Sequence, residues 1–412
     1  MLAKAKHLKN LYALDFGTTK FCLAAVREVP GASTPSIETV SIPAEGMRRG
    51  MLANLEQAKA ALRTLLDQAE KQFGGDITRA VVGVAGSHLA SRIVTESCPV
   101  AGDNVTSQDL KTLIDKAEVR HATEAREILH TVPLGYRVDG RETVDDPIGF
   151  RGRTLAADFF LIDADKFYLK DLVTVCNEAG LQVVRLYSEP FASASVTVPD
   201  TYKQLGVALA DIGGGTTDGI VFKGGRPTGA FTVNVAGKQM TNDLAIGLNV
   251  DTDEAEKVKL RFGIKPRLGD KVDVADIRGQ TKTVGASQVM PILVPRVHEL
   301  CGLIARSLLP YKGTLGAGIL LTGGGADVKG IAEYFQAKLG IPVARTRPVL
   351  PGDDGVAVED ALSRSIHPTR HATVIGLLNL ELCRFGDLEK VRKTSWSNRY
   401  LGQIFNWIKD LS

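Results

Sequence analysis

The chain has 412 residues, 44% of them apolar and 24% charged. These are ordinary globular values, which exclude general disorder and point to two or more domains. A formal net charge of +3 is too small to argue for a nucleic-acid partner, and no apolar run is long enough to span a bilayer. The basic start, Met1 to Asn10, lacks the apolar centre of a signal peptide. Cys22, Cys98, Cys176, Cys301 and Cys383 are scattered, with no C-x-x-C pair. Four sit among apolar neighbours, which predicts reduced, buried thiols in a cytoplasmic protein. The histidines form no metal motif, since Pro368 interrupts the His367/His371 spacing.

In chain order, an apolar strand ends at Asp15, a turn carries Gly17, Thr18, Thr19 and Lys20, and a second apolar run extends from Phe21 to Val26. A further strand, an amphipathic helix from Leu55 to Phe73 and a strand from Ala80 to Val84 follow. Residues 84–160 break this pattern. Ser91 to Pro99, Ile128 to Tyr136 and Arg153 to Leu161 read as strands, and Ser107 to Ala122 as a helix opening on a serine cap. The turn-rich stretch Val138 to Gly152 lies between the last two strands. The core resumes with a helix from Asp165 to Ala179, a strand from Gln182 to Tyr187 and a helix from Glu189. A second half starts at Gly206, is interrupted by a mostly helical segment over 237–310, and returns at Gly318. Strands alternating with helices predict parallel-rich sheets covered on both faces.

The first hairpin is written again in the second half. Val207 to Asp211 is an apolar strand, Gly213, Gly214, Gly215, Thr216 and Thr217 form the turn, and Gly219 to Phe222 run back. Glycine lets backbone N–H groups approach an anion, and threonine adds hydroxyl donors. Asp15 and Asp211, at the strand ends, are placed to hold Mg²⁺ through its waters, because Mg²⁺ gives up hydration reluctantly. Lys20 is either a neutralising charge or a strand-end surface lysine. One such hairpin is weak support for phosphate binding, but a third segment strengthens it. Gly318 to Thr322 is an apolar strand running into Gly323, Gly324 and Gly325, and a helix follows, so a flat ring has bare backbone to lie against.

Two phosphate hairpins followed by a strand–glycine turn, in this order, resemble the actin/sugar-kinase/heat-shock ATPase superfamily. The segment over 84–162 narrows the resemblance. Gly86-Ser87-His88, the run Ile128 to Pro133, Tyr136, Val138-Asp139-Gly140 and Asp146-Pro147-Ile148-Gly149 are similar to the inserted subdomain of the bacterial cell-division family FtsA. Thr241-Asn242-Asp243, Glu256 to Lys259 and Tyr187-Ser188-Glu189-Pro190 also match. Phe150 departs from the methionine common there, and Pro266 to Ser287 match loosely.

The resemblance implies an α/β, two-lobed actin-like ATPase fold with an FtsA-type inserted subdomain and a C-terminal amphipathic helix. First-lobe core is expected over 1–83 and 163–205, the insertion over 84–162, and second-lobe core over 206–236 and 311–365 around its own insertion, 237–310. A first-lobe segment over 366–385, a flexible linker over 386–395 and a membrane-targeting helix over 396–412 complete the chain. ATP and Mg²⁺ are the implied ligands, with at most slow hydrolysis. Glu256 and Lys259 would hold ribose and adenine, though an ordinary intrahelical ion pair explains their spacing equally. Gly323, Gly324 and Gly325 would border the adenine. Glu189 would orient the attacking water; read alone, it is an acid in the first turn of a helix.

The implied partners are a second copy in a filament, cytoplasmic-membrane lipid, the C-terminal peptide of the tubulin-like protein FtsZ, and later division proteins at the inserted subdomain. The implied location is the cytoplasmic face of the inner membrane at the division septum. Arg296 and Arg306 are candidate contacts for an acidic FtsZ peptide, or else solvated helix charges. In the tail, at about 100° per residue, Trp396, Tyr400, Leu401, Ile404, Phe405, Trp407, Ile408 and Leu411 share one face. Such a helix either lies in a lipid interface or docks on its own domain. A sugar kinase and a chaperone-type ATPase are the rival readings. The first needs a sugar-binding insertion, and the second needs a peptide-binding domain beyond residue 385.

Overall fold

The computed structural model describes residues 11–27, 36–267, 269–349, 367 and 369–392. In the first lobe β1 (Tyr12–Phe16) and β2 (Lys20–Arg27) form an antiparallel hairpin, extended by β3 (Ser36–Pro43). A small hairpin, β4 (Met47–Arg48) and β5 (Met51–Leu52), turns through Arg49 at φ 51° and Gly50 at φ 73°, the left-handed pair that a two-residue hairpin turn requires. The Asn54 side chain caps α1 (Leu55–Phe73), which buries Leu62, Leu65, Leu66, Ala69 and Phe73 along one stripe. Next, β6 (Arg79–Val84) pairs parallel with β1.

The inserted subdomain follows: β7 (Ala90–Pro99), α2 (Ser107–His121), β8 (Arg126–Val138) and β9 (Thr154–Asp165). Its three strands form a separate antiparallel sheet in the order β7-β9-β8. It has its own core, in which Leu113 and Ala117 of the helix meet Leu155, Ala157, Phe159 and Leu161 of the sheet. The cap of α2 is Thr106, not Ser107. Asp109 returns the bond, accepting from the Thr106 N–H at 2.8 Å, which closes a capping box.

The first lobe resumes with α3 (Lys166–Glu178), β10 (Gln182–Ser188), α4 (Glu189–Thr197) and α5 (Asp200–Leu205), and its five-stranded sheet has the order β10-β6-β1-β2-β3. The second lobe contains β11 (Val207–Ile212), β12 (Thr217–Lys223), β13 (Arg226–Val233), α6 (Gly237–Leu248) and α7 (Thr252–Phe262). Then come β14 (Lys271–Ala275), β15 (Thr281–Gly285), α8 (Ala286–Ser307), β16 (Gly318–Thr322), α9 (Ile331–Leu339) and β17 (Val343–Arg345). Its sheet, β13-β12-β11-β16-β17, repeats the first: an antiparallel triplet joined through its first strand to parallel ones. The second insertion is less helical than its sequence implies, because β14 and β15 pair as a hairpin and bury Val274 and Val284. Finally α10 (Ala372–Arg392) crosses back to the first lobe. Val374, Ile375, Leu377 and Leu378 are buried there against Ala13, Val81, Ala192 and Val196. The backbone of 386–392, expected as part of a linker, continues this helix.

Because the inserted subdomain has a core of its own, damage to that core should appear first as local unfolding. Phe159 is fully buried in it. Phe159→Ala is expected to destabilise the insertion by about 3–5 kcal/mol. Hydrogen exchange should show β7 to β9 losing protection while the sheets of the two lobes keep theirs.

Candidate functional site

The repeated hairpins meet tip to tip. In the first, Gly17 closes a turn with no room for a side chain, since a Cβ there would lie 2.6 Å from the Lys20 carbonyl oxygen. In the second, a Cβ on Gly214 would lie 2.3 Å from Thr19 Cγ2, and one on Gly215 would lie 2.4 Å from Thr18 Oγ1. The two lobes therefore touch through glycine backbone and threonine side chains. Thr18 Oγ1 also accepts from the Gly50 N–H at 2.8 Å, which ties the β4–β5 turn to the tip. The start of α6 docks behind the second tip, where the Gly237 and Lys238 N–H groups donate to the carbonyls of Gly213 and Gly214 at 3.0 and 2.8 Å. The hydroxyls of two expected phosphate ligands have protein partners. The Thr216 hydroxyl donates to Asp218 Oδ2 at 2.7 Å and the Thr217 hydroxyl to the Val235 carbonyl at 2.8 Å. Lys20 Nζ donates to the Arg370 carbonyl at 2.6 Å.

Four carboxylates gather at this junction: Asp15, Glu189, Asp211 and Asp218. Burial pushes Asp15 up to about 6, against the lowering charge of Lys20. Burial also raises Asp211 to about 6. Asp218 and Asp15 add repulsion, while bonds from the Ser193 and Thr373 hydroxyls, 2.7 and 3.2 Å long, oppose it. Burial raises Asp218 against bonds from the Thr232 and Thr216 hydroxyls, 2.6 and 2.7 Å long. Glu189 is pushed well above the usual carboxylate range by burial and then by Asp15, Asp218 and Asp211 together. Asp15 Oδ1 is buried without a hydrogen-bond partner. An orphaned acceptor among mutually repelling acids fits a cation. Among the described residues no three His, Cys, Asp or Glu side chains converge as direct ligands, so the fitting ion is one that keeps its waters, as Mg²⁺ does. Gly83 makes room for Glu189, since a Cβ there would lie 2.8 Å from Glu189 Cγ. Asp218 and Gly83 received no role from the sequence; the signal for Asp218 was its cross-strand register with Asp211.

Beside the second tip, Lys259 is buried, and burial lowers its pKa against the raising effect of Glu256. Its Nζ donates to Glu256 at 2.6 Å and to Thr241 Oγ1 at 2.9 Å, and Thr241 donates on to Glu256 at 2.5 Å. The pair is an i,i+3 ion pair with a buried lysine end and a partly exposed Glu256, extended by Thr241. A Cβ on Gly237 would lie 3.2 Å from the Gly213 oxygen, 3.6 Å from Lys259 Nζ and 3.7 Å from Gly325 Cα. The second hairpin, the Lys259 network and the third glycine turn therefore converge. In that turn Gly323 has φ 84°, and a Cβ on it would strike Asp211 Oδ1 at 2.3 Å; one on Gly325 would strike Ile212 Cγ2 at 2.3 Å. Gly324 differs, because a Cβ there would meet nothing nearer than Arg370 Cγ at 3.6 Å. A cavity of about 460 Å³ opens beside the hairpin tips, with Thr18 and Gly215 on its wall together with the cations Arg48, Arg49 and Lys238.

The candidate partner contacts lie away from this site. Arg296 is held by Asp243 at 2.6 and 3.1 Å and by Glu299, while Arg306 is exposed and has no ion pair among the described residues. The eight apolar-face residues of the tail, Trp396 to Leu411, lie outside the described residues.

Comparison with known proteins follows this architecture. The family model "Cell division protein FtsA" matches residues 208–376, and "SHS2 domain inserted in FTSA" matches 86–163, the stretch that forms β7 to β9. The cell division protein FtsA of Rhizobium meliloti (strain 1021) is 30% identical over 392 residues, covering 89% of this chain and 88% of the relative. That of Neisseria meningitidis serogroup B is 28% identical, with 98% of each chain covered. Among solved structures, the PilM-PilN type IV pilus biogenesis complex matches with a TM-score of 0.61 at 17% identity, over 90% of this chain and 98% of that one. MreB5 of Spiroplasma citri bound to ADP matches with a TM-score of 0.52 at 14% identity, over 92% and 98%. At those identities the likeness concerns the fold, here the two-lobed actin-like ATPase architecture. With the inserted subdomain in place and a relative 30% identical across most of both chains, this chain belongs to the FtsA family of cell-division proteins.

Proposed function

We propose that this chain binds magnesium–ATP between its lobes, polymerises on the cytoplasmic face of the inner membrane at the division septum, and tethers FtsZ filaments there. The observation that carries the nucleotide reading is the gathering of Asp15, Asp211, Asp218 and Glu189 where the two glycine-threonine tips touch. Backbone N–H groups of Gly17, Gly213, Gly214 and Gly215, with Thr18 and Thr19, would receive the phosphates. Asp15 and Asp211 would face the hydrated ion, which neutralises phosphate charge when bound. Glu256 and Lys259 would hold the ribose and adenine over Gly323, Gly324 and Gly325. Glu189 would orient a water for slow hydrolysis. The fold shared with an MreB5 solved with ADP supports the nucleotide reading. The acidic FtsZ peptide would meet α8 near Arg306, with Arg296 recruited only by exchange from Asp243. Later division proteins would dock on the inserted subdomain. No observation favours the sugar-kinase or chaperone reading.

Among the described residues no helix is long and apolar enough to cross a membrane, so attachment would rest on the tail over 396–412. Fully burying one large apolar side chain contributes about 1.5–3 kcal/mol. Interfacial burial is partial, and ordering the tail costs about 1–2 kcal/mol per residue. One tail would therefore bind reversibly and a filament of tails far more tightly.

Gly324 tests the adenine position, because a Cβ there meets only the Arg370 side chain, at ordinary van der Waals distance. Gly324→Val should abolish ATP affinity in calorimetry and leave thermal stability intact; undiminished affinity would misplace the ring. Asp211→Ala should remove most of the Mg²⁺ dependence of binding.

The pH dependence has a definite sign. The cation is attracted by ionised carboxylates, and Asp15 and Asp211 hold protons up to about 6. Lowering the pH from about 7.5 to about 5.5 should weaken Mg²⁺-dependent ATP binding by roughly tenfold, as protons compete with the ion. Asp15→Asn should flatten the profile, and a pH-independent wild type would remove these acids from the site.

For the membrane, the full chain should pellet with anionic vesicles, whereas a truncation after Lys393 and Trp407→Glu should stay in the supernatant. Equal pelleting of the truncated chain would show that the tail is not the anchor.

A further inference from the structure

His130 belongs to the inserted subdomain but faces the first-lobe core. The register of β8 against β9 shifts between Ile128 and His130, and such a bulge re-aims a side chain. The imidazole packs against the Tyr187 and Phe191 rings at centroid distances of 5.6 and 4.6 Å. Its Nε2 accepts the Ser188 N–H at 2.9 Å.

Ser188 is the strand-to-helix corner on the covalent path to the site. It is the last residue of β10, an edge strand whose other side pairs with β6 at Val84. It is also the residue preceding α4, and its own side chain makes no capping bond. Its hydroxyl is buried without a partner. The bond from the backbone to His130 therefore fixes this corner where the serine hydroxyl does not. The next residue is Glu189, wedged against Gly83 on its far side.

We propose that His130 is a positioning residue for Glu189, through which the placement of the inserted subdomain sets the carboxylate facing the phosphate loops. The inference rests on the reading of Glu189 as the group that orients the attacking water. Burial, with the charge of Arg185, holds the His130 pKa down at about 3. The ring is therefore neutral, with the proton on Nδ1 and Nε2 free to accept. A contact that displaces β8 would move Ser188 and then Glu189, so a partner docked on the insertion would alter turnover without touching nucleotide.

The test uses the full-length chain, with ATP affinity by calorimetry and hydrolysis in single-turnover assays with protein in excess. His130→Leu removes the acceptor, and His130→Gln restores one at similar reach. His130→Leu should keep ATP affinity within a few-fold, slow single-turnover hydrolysis by roughly tenfold to a hundredfold, and speed hydrogen exchange at the Ser188 amide. His130→Gln should recover most of the rate and the protection. Wild-type turnover in His130→Leu overturns the inference, as does a His130→Gln variant that binds ATP but stays slow. Should His130→Leu lose ATP affinity through misfolding, the rate of His130→Gln decides alone. A wild-type chain that binds ATP but never hydrolyses it removes the reading of Glu189, and this inference with it, while ATP binding stands. A wild type that binds no ATP overturns the nucleotide reading itself.

Discussion

Like-charge repulsion at the meeting of the lobes is the constraint around which the molecule is arranged. Four carboxylates share a space from which water is largely excluded, and each is pushed towards its neutral form. Such a cluster survives only where the surroundings determine its geometry. Hydroxyls of Ser193, Thr373, Thr232 and Thr216 take up acceptor capacity on Asp211 and Asp218, and Lys20 offsets Asp15. Among the described residues no such donor reaches Glu189; its place is shaped by the missing side chain of Gly83. Protons relieve the repulsion. A cation would do so without protonation, so binding it and ionising the cluster are linked. A folded-state carboxylate raised in this way contributes stability that is present below its unfolded value and is lost as pH rises through about 6. An ion would restore that stability near neutrality.

Several polar links also tie the lobes together around the tips. Thr232 of β13 bridges them, donating to Asp218 at 2.6 Å and lying 3.4 Å from the Gly86 carbonyl. The Ala230 N–H donates to Ser91 Oγ of the inserted subdomain at 2.9 Å, and Arg226 pairs with Asp145 in the turn-rich stretch of that subdomain. The insertion thus touches the second lobe along β13 and through β9, and the first lobe through Leu129 and Ala164 as well as His130. Beside these polar links runs an apolar seam, in which Phe160 and Ile162 of β9 and Ala194 and Val198 of the first lobe are buried with Val207, Leu209, Ile220 and Phe222 of the second. Exposed ion pairs such as Arg226–Asp145 contribute about 0–1 kcal/mol each.

What the sequence made legible was local: the glycine-threonine turns, the α1 stripe, the third glycine turn, and the Glu256/Lys259 spacing that becomes an ion pair joined by Thr241. What it concealed depended on contacts distant along the chain. Gly83 reads as one more small residue in a strand until Glu189, far downstream, lies over it. Thr216 and Thr217 look like free hydroxyls until Asp218 and the Val235 carbonyl take them. The β14–β15 hairpin has only two buried valines as its signal, in a segment otherwise dominated by helices. The Thr106 cap was missed by one position because Ser107 is an equally good capping residue by type; the reciprocal bond from Asp109 decides between them.

In the proposed reading, the site and the tail are linked through assembly. Nucleotide and ion would fix the angle between the lobes by neutralising the cluster. A fixed angle would make both ends of the molecule fit a second copy at once. Each added copy brings another tail, and tails held on one filament bind a surface as a group. By reciprocity, a membrane that gathers tails raises the local concentration of the lobes and favours the same closed form. His130 would add a second input to that cycle. A partner on the insertion would act on Glu189 and therefore on the lifetime of the bound triphosphate, whereas the tails act on how many copies are present. Assembly and its timing would then be set from two surfaces of one chain, joined at the four acids between the lobes.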